Sequence, residues 1–311
     1  MQAKVSDSSR DCPRTNEQRR DAMQNTSRVW FITGASSGFG KALAEAVIGR
    51  GEKVVVAARR REALAELAAI DESRIVAMPL DVTDAGARRK ALASTMGKFG
   101  RIDVLANIAG RGSLGTVEEF APDQLRAQME LNFFAAAEMT REVLPQLRRQ
   151  GSGHVLNLTS IGGLISIGGF GAYCASKFAL EAWSEALADE VAPLGLHVTL
   201  IEPGNFRTEF AGDANMRPAT QMQPYRPVIA PIEDFLYGQN GRQPGDPTKA
   251  AEAMLAVVDD PDPPRRLVLG DDAYDVLDRT MAARMADISR YRAMGEKTGF
   301  EGAEVTTIGA A

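Results

Sequence analysis

VWFITGASSGFG, residues 29–40, begins as an apolar run and ends as a glycine turn. Val29 to Thr33 is short, apolar and bounded by turn residues, which predicts a buried strand. Gly34, Gly38 and Gly40 follow, and a helical pattern opens at Lys41 with Leu43, Ala46 and Val47 on one face. Strand, glycine turn and helix in that order make a phosphate cradle. Glycine lets the backbone approach a pyrophosphate closely, and the helix N-terminus offers unpaired N–H groups with partial positive charge. A glycine cluster by itself is only a turn; between a strand and a helix it points to a dinucleotide.

The same alternation runs outward along the chain. Apolar strands are predicted at 53–58, 75–80, 102–106, 154–159, 197–202 and 266–269, with helices at 61–69, 84–99, 122–149, 171–191, 246–258 and 271–292. Pro145 could kink the third of these helices. Strands apolar on both faces demand a parallel sheet covered by helices on both sides. The expected fold is therefore a single α/β domain over 28–294, a Rossmann-type doubly wound sheet of about seven strands. Ligands of such a sheet sit beyond the C-terminal strand ends, where Gly34, Arg59, Asp81, Asn107, Ser160 and Pro203 all fall. Residues 203–246 read as irregular, a substrate loop or lid rich in Pro, Gly, Asn, Gln and Met.

Composition narrows the function classes. A chain of 311 residues, 44% hydrophobic and 25% charged, can bury an ordinary core, and a net charge of −5 without a basic stripe argues against nucleic acid. Cys12 and Cys174 are too few for a disulfide scaffold or a cysteine-based metal site, so no metal is expected. His154 and His197 sit in strand-like runs and read as structural residues bonded to backbone or water. No apolar run reaches the roughly 18 residues that cross a membrane, and a cytoplasmic setting is the expectation. Residues 1–27 are polar and lack an apolar signal core, which predicts a disordered extension, with Met23 a candidate natural start. The tail from Gly295 is expected to be mobile.

Two spacings carry chemistry. Tyr173 and Lys177 stand four apart at the start of a helix, so both lie on one face. An ammonium about 4 Å from a phenol, at an effective dielectric near 20, favours the phenolate by roughly 4 kcal/mol, about three pKa units. That would bring a phenol from near ~10 into reach of neutral pH. Taken alone the pair would be a surface tyrosine beside an unrelated lysine. Ser160, just past the fifth strand, could bond a substrate carbonyl beside the phenol, and the apolar segment 161–170 could wall a hydrophobic pocket; otherwise these are a turn serine and a buried loop.

Together TGASSGFG, DVTD, NIAG, Ser160 and YCASK resemble the short-chain dehydrogenase/reductase family, over about 28–210. The wording of AARR, YCASKFALE and EPGNFRTEF is similar to NADPH-preferring, hydroxysteroid- or retinol-dehydrogenase-like members. The resemblance implies that Tyr173 is the general acid/base, that Lys177 lowers its pKa and holds the nicotinamide ribose, and that Ser160 orients the carbonyl. Asn132 matches an asparagine supporting a water-linked proton path. For the cofactor it implies Gly34, Ser36, Ser37, Gly38 and Phe39 at the glycine turn, Asp81 and Val82 flanking adenine, and Asn107, Ala109 and Gly110 behind the adenosine. Pro203, Gly204, Phe206 and Thr208 match the turn beside the nicotinamide. Ile108 stands where the family commonly has a second asparagine, and altered packing with intact binding is expected.

The end of the second strand decides which nucleotide is expected. An acidic residue there would bond a ribose 2′-hydroxyl and repel a 2′-phosphate; here Ala58 is followed by Arg59, whose guanidinium can grip a phosphate bidentately. The expected cofactor is NADP(H), with Ser37, Arg60 and Arg61 in support. The expected activity is hydride transfer between nicotinamide and a carbonyl or secondary alcohol of a fairly hydrophobic small-molecule substrate. Rival readings are a non-catalytic NADP-binding regulator or redox sensor, and a dehydratase or epimerase using the same Tyr–Lys pair. The resemblance also implies a homodimer or homotetramer through the helices at 122–149 and 171–191.

Overall fold

The computed structural model describes residues 27–212 and 215–304. Strands β1 (Val29–Thr33), β2 (Lys53–Ala58), β3 (Ile75–Pro79), β4 (Val104–Asn107), β5 (Gly153–Leu158), β6 (Leu196–Pro203) and β7 (Arg266–Leu269) form one sheet. Their order is β3-β2-β1-β4-β5-β6-β7, and every neighbouring pair is parallel. Successive β1 side chains face opposite ways, as a strand requires. Trp30 and Ile32 enter one core with Val54, Val56, Leu43, Val47 and Met254. Phe31 enters the other with Val55, Leu105, Met139, Leu147 and Leu187. Helices α1 (Gly38–Gly49) and α8 (Pro247–Asp259) supply the first layer, and α5 (Ala135–Gln150) and α6 (Gly171–Val191) the second. Between them in sequence lie α2 (Arg61–Ala68), α3 (Ala85–Phe99), α4 (Pro122–Met129) and α7 (Arg226–Gly238). The chain reverses direction across the sheet between β1 and β4, which opens a crevice at their C-terminal ends.

Three expectations change. The helix expected at 122–149 is broken at Glu130–Phe134 by a π-helical turn that carries Asn132, and Pro145 lies inside α5 without ending it. Such single-turn bulges are frequent at functional sites. Residues 203–246 are not irregular: they hold α7 and short 3₁₀ turns at Glu209–Ala211 and Gln223–Tyr225. Pro227 opens α7, where a missing N–H costs nothing, and Ile229 is buried. Strand β4 starts at Val104, because Asp103 is used earlier: its N–H donates to Val29 O and its carboxylate accepts from Val29 N.

His154 is structural as expected, but its partner is a side-chain hydroxyl rather than backbone or water. His154 is buried and shares a 2.9 Å bond with the Thr199 hydroxyl, which itself donates to Pro264 O. Burial lowers the imidazole to about 3, so it stays neutral. The expected extension before Ser27, the start at Met23, Cys12 and residues 305–311 lie outside the described residues. Residues 295–304 of the expected tail are exposed.

Helix α9 (Asp271–Arg290) and the short α10 (Arg292–Gly295) close the described chain. The glycine turn is set by close approach. Gly34 has φ +69° and stands so near β4 that a β-carbon would lie 2.8 Å from Ala109 N; a β-carbon at Gly40 would run into the Gly34 carbonyl. Gly40→Ala is therefore expected to destabilise the fold by about 2 kcal/mol through overpacking against backbone. A urea melt checks this, and an unchanged midpoint would refute it.

Candidate active site

The glycine turn is bound to β4 by Thr33, whose hydroxyl accepts from Ile108 N at 3.0 Å and Ala109 N at 3.1 Å. Helix α1 begins beyond Ser37 with no side-chain cap and no acidic residue in its first turn. Its N-terminal N–H groups are thus left for an external anion. Thr208 covers the turn from the β6 side; a β-carbon at Gly38 would lie 3.3 Å from its methyl group. Ser36 accepts from Arg60 Nε at 3.2 Å, and Arg60 also pairs with Glu209 at 3.1 Å. That engagement leaves Arg59, exposed at the end of β2, with no ion pair or side-chain hydrogen bond among the described residues.

Behind the cradle the residues divide into those facing the crevice and those holding it. Asp81 accepts from Thr83 N–H and hydroxyl, which with the nearby Arg59 charge holds its carboxyl below the usual range. Val82 is buried, and its carbonyl accepts from Arg88 Nη1 at 2.7 Å. Arg88, itself buried against Glu138 and Glu142, was not singled out from sequence; an arginine early in a helix carries no signal. Asn107 points inward: its amide donates to Asn157 Oδ1 at 2.8 Å and Thr140 Oγ1 at 2.9 Å, tying β4 to β5 and α5. Ile108 packs into the core with Ile32 and Ala106. Pro203 ends β6, and Gly204 N–H donates to Leu269 O. Phe206 stacks at 5.1 Å on Phe39 and lines a cavity of about 460 Å³ with Gly245, Lys249, Leu269 and Asp272, away from Tyr173.

A second residue missed from sequence is Arg111, directly after Gly110. Its Nε is buried without a partner, and burial followed by the Arg59 charge lowers its pKa. Two guanidinium groups near each other at the crevice, one with an orphan donor, fit an anion with two negative charges. The uncapped helix, the close-packed Gly34 and this pair together fit a dinucleotide.

At the end of β5, Ser160 and Tyr173 meet over Gly162, where a β-carbon would lie 3.0 Å from the Tyr173 ring and 3.4 Å from the Ser160 hydroxyl. Lys177 and Asn132 meet at Gly110 in the same way, at 3.6 and 3.2 Å. Asn132 accepts from Arg111 N and donates to Arg111 O, both at 3.0 Å, and the π-helical turn is what aims it there. Phe210 lies edge-on to the Tyr173 ring at 5.1 Å and gives the phenol an apolar neighbour.

The electrostatics depart from the sequence estimate. Lys177 Nζ donates to Leu158 O at 2.7 Å and stands 5.9 Å from the Tyr173 ring centroid. Burial is the larger effect and pushes the phenol above its ordinary value, with the Ser160 hydroxyl working in the opposite direction. Burial also lowers Lys177 to about 8, against the pull of Glu181.

The family described as short chain dehydrogenase matches residues 28–219. Oxidoreductase BOA17 of Botryotinia fuckeliana is 36% identical over 266 residues, 85% of this chain and 97% of its own length. The 3-ketodihydrosphingosine reductase of Bacteroides thetaiotaomicron is 34% identical over 244 residues, 78% and 88% of the two chains. A short-chain dehydrogenase structure from Streptomyces avermitilis superposes with a TM-score of 0.83 at 42% identity, covering 88% of this chain and 99% of that one. Other solved neighbours are complexes with NAD or with NADP.

Proposed function

The chain belongs to the short-chain dehydrogenase/reductase family, a family of oxidoreductases, and from that premise we propose that it is an NADP(H)-dependent reductase of fairly hydrophobic ketones. The observation that carries this is the convergence of Ser160, Tyr173, Lys177 and Asn132 around Gly110 and Gly162, at the mouth of the crevice. A bound nicotinamide supplies hydride to the carbonyl carbon. As the carbonyl electron pair moves onto oxygen, the Ser160 hydroxyl donates to that oxygen and Tyr173 gives it a proton. The Lys177 ammonium, steadied by Leu158 O, compensates the phenolate left behind. Asn132 holds Arg111 and with it the Gly110 turn against the ammonium, where the family resemblance sets a water-linked proton path. The phenol is protonated at neutral pH, the form that can give a proton to a carbonyl oxygen.

The nucleotide assignment rests on Arg59, which has no ion pair or side-chain hydrogen bond among the described residues, and on the orphan Nε of Arg111. The substrate class rests on Phe210, edge-on to Tyr173, and agrees with the keto substrate in the name of the Bacteroides relative. Exposed Leu125 and Phe134 on the α4–α5 side support a homodimer through that side.

The test is NADPH consumption across aldehydes, steroids, retinoids and long-chain ketones. Turnover of lipophilic ketones is expected; no turnover, or equal turnover of small hydrophilic sugars, would refute the reading. Phe210→Ala removes an apolar wall worth about 1.5 kcal/mol of burial, so KM for a lipophilic ketone is expected to rise about tenfold with kcat little changed. Steady-state kinetics checks this; a fall in kcat alone would place Phe210 in the proton-transfer geometry instead.

A further inference from the structure

Behind Lys177 lies a group of charges that the reaction as described does not use. Glu181 is one helical turn further along α6, Glu202 is on β6 and Arg266 on β7, and both carboxylates are almost wholly buried. Each gives one oxygen to the same guanidinium nitrogen, Arg266 Nη1. Two oxygens that share one nitrogen cannot lie further apart than the sum of those contacts, so the carboxyl groups are neighbours. The other oxygen of each, Glu181 Oε1 and Glu202 Oε2, is buried with no donor. The ionisable groups facing this pair are Lys177 and Glu185 from α6 and Arg266 from β7; Gly163 faces Glu181 without a side chain.

Two orphan acceptors on neighbouring buried carboxyl groups are costly unless one becomes a donor. A single proton does this: one carboxyl group then donates and the other accepts. We propose that Glu181 and Glu202 share one proton at neutral pH, and that this carboxyl–carboxylate pair is a positioning element that sets the charge on Lys177. The inference rests on the assignment of Lys177 as the charge that compensates Tyr173.

Two consequences follow from the sign of the charges. Burial, followed by the neighbouring Glu181, pushes Glu202 up to about 8, despite the pull of Arg266. The pair therefore keeps its proton through neutral pH and releases it in the range where Lys177, lowered to about 8, would discharge. Release adds a negative charge to the pair, whose Glu181 member lies one helical turn from the ammonium, and opposes that discharge. The pair thus extends the pH range over which Lys177 stays charged.

The first test is infrared spectroscopy of the full chain, with Glu202→Gln as reference. A protonated-carboxyl C=O stretch is expected at neutral pH, lost in the variant and lost at high pH; its absence from the unsubstituted protein would overturn the shared proton. The second test is the basic limb of kcat for carbonyl reduction. Glu181→Gln removes the counter-charge of Lys177 and is expected to move that limb down by about one pH unit. Glu202→Gln can no longer release the shared proton, so it is expected to move the limb down by a smaller amount, because Glu181 is the carboxylate that acts directly on Lys177. Equal shifts in both variants, or none in Glu181→Gln, would overturn the coupling to Lys177. The infrared measurement needs no turnover, so a protein that transfers no hydride would end the enzymatic reading while leaving the shared proton to stand or fall by its own band.

Discussion

Replacing Tyr173 by Phe is expected to lower kcat for carbonyl reduction about a thousandfold, within the range a positioned general acid contributes. That factor corresponds to about 4 kcal/mol of transition-state stabilisation. The substitution removes only the hydroxyl. The ring still meets Phe210 edge-on and still lies over Gly162, so neither the fold nor the cradle at Gly34 loses a contact. The Ser160 hydroxyl keeps its bond from Gly162 N–H at 3.0 Å and can still orient a carbonyl. Binding of NADPH, followed by its fluorescence, should therefore change less than threefold while single-turnover hydride transfer collapses. A loss of kcat below tenfold would mean that the oxygen takes its proton elsewhere. Loss of binding together with turnover would mean that Tyr173 is structural. The same comparison separates the rival readings: a regulator that only binds the nucleotide shows no turnover to lose, and a dehydratase or epimerase shows no net NADPH consumption.

What could be read from the chain beforehand follows from which interactions are local. Strands β1, β2 and β7 and helix α6 match their expected limits because each is set by a short apolar pattern and its own turn residues. The helix Arg226–Gly238 was hidden because Pro224, Pro227 and Pro231 read as loop punctuation, although proline is well tolerated in a first helical turn. The family resemblance gave Ser160, Tyr173, Lys177 and Asn132 as residues, yet the direction of the Tyr173 shift was out of reach. Spacing places an ammonium near a phenol, but only three dimensions show that Leu158 O captures the ammonium and that burial outweighs it. Arg111 and Arg88 were missed for a related reason. Each acts through contacts with chain segments far away in sequence, and a lone arginine has no local signature. The Glu181–Glu202–Arg266 group is the extreme case, assembled from one helix and two strands by the parallel register of β6 and β7.

Arg59→Asp is expected to reverse the nucleotide preference, lowering kcat/KM with NADPH at least a hundredfold and raising it with NADH. Arg59 stands exposed at the end of β2 with no side-chain partner among the described residues, whereas the adjacent Arg60 is held by Ser36 and Glu209. A hydrogen bond between charged groups contributes about 1.5–3 kcal/mol, and a guanidinium makes two such bonds to one phosphate, so their loss alone accounts for a hundredfold. The introduced carboxylate adds repulsion of a 2′-phosphate and offers an acceptor to a 2′-hydroxyl. Asp81, now held below the usual carboxylate range partly by Arg59, would lose that support and gain a like charge nearby. Arg111 limits the size of the reversal. Its guanidinium is near Arg59 and stays charged in the variant, so some attraction for the 2′-phosphate persists. The double substitution with Arg111→Leu should therefore weaken NADPH further while changing NADH little. If Arg59→Asp still preferred NADPH in steady-state kinetics, the 2′-phosphate would have to be held from the glycine turn, at Ser36 or Ser37, and the arginine at the end of β2 would be a solvated charge.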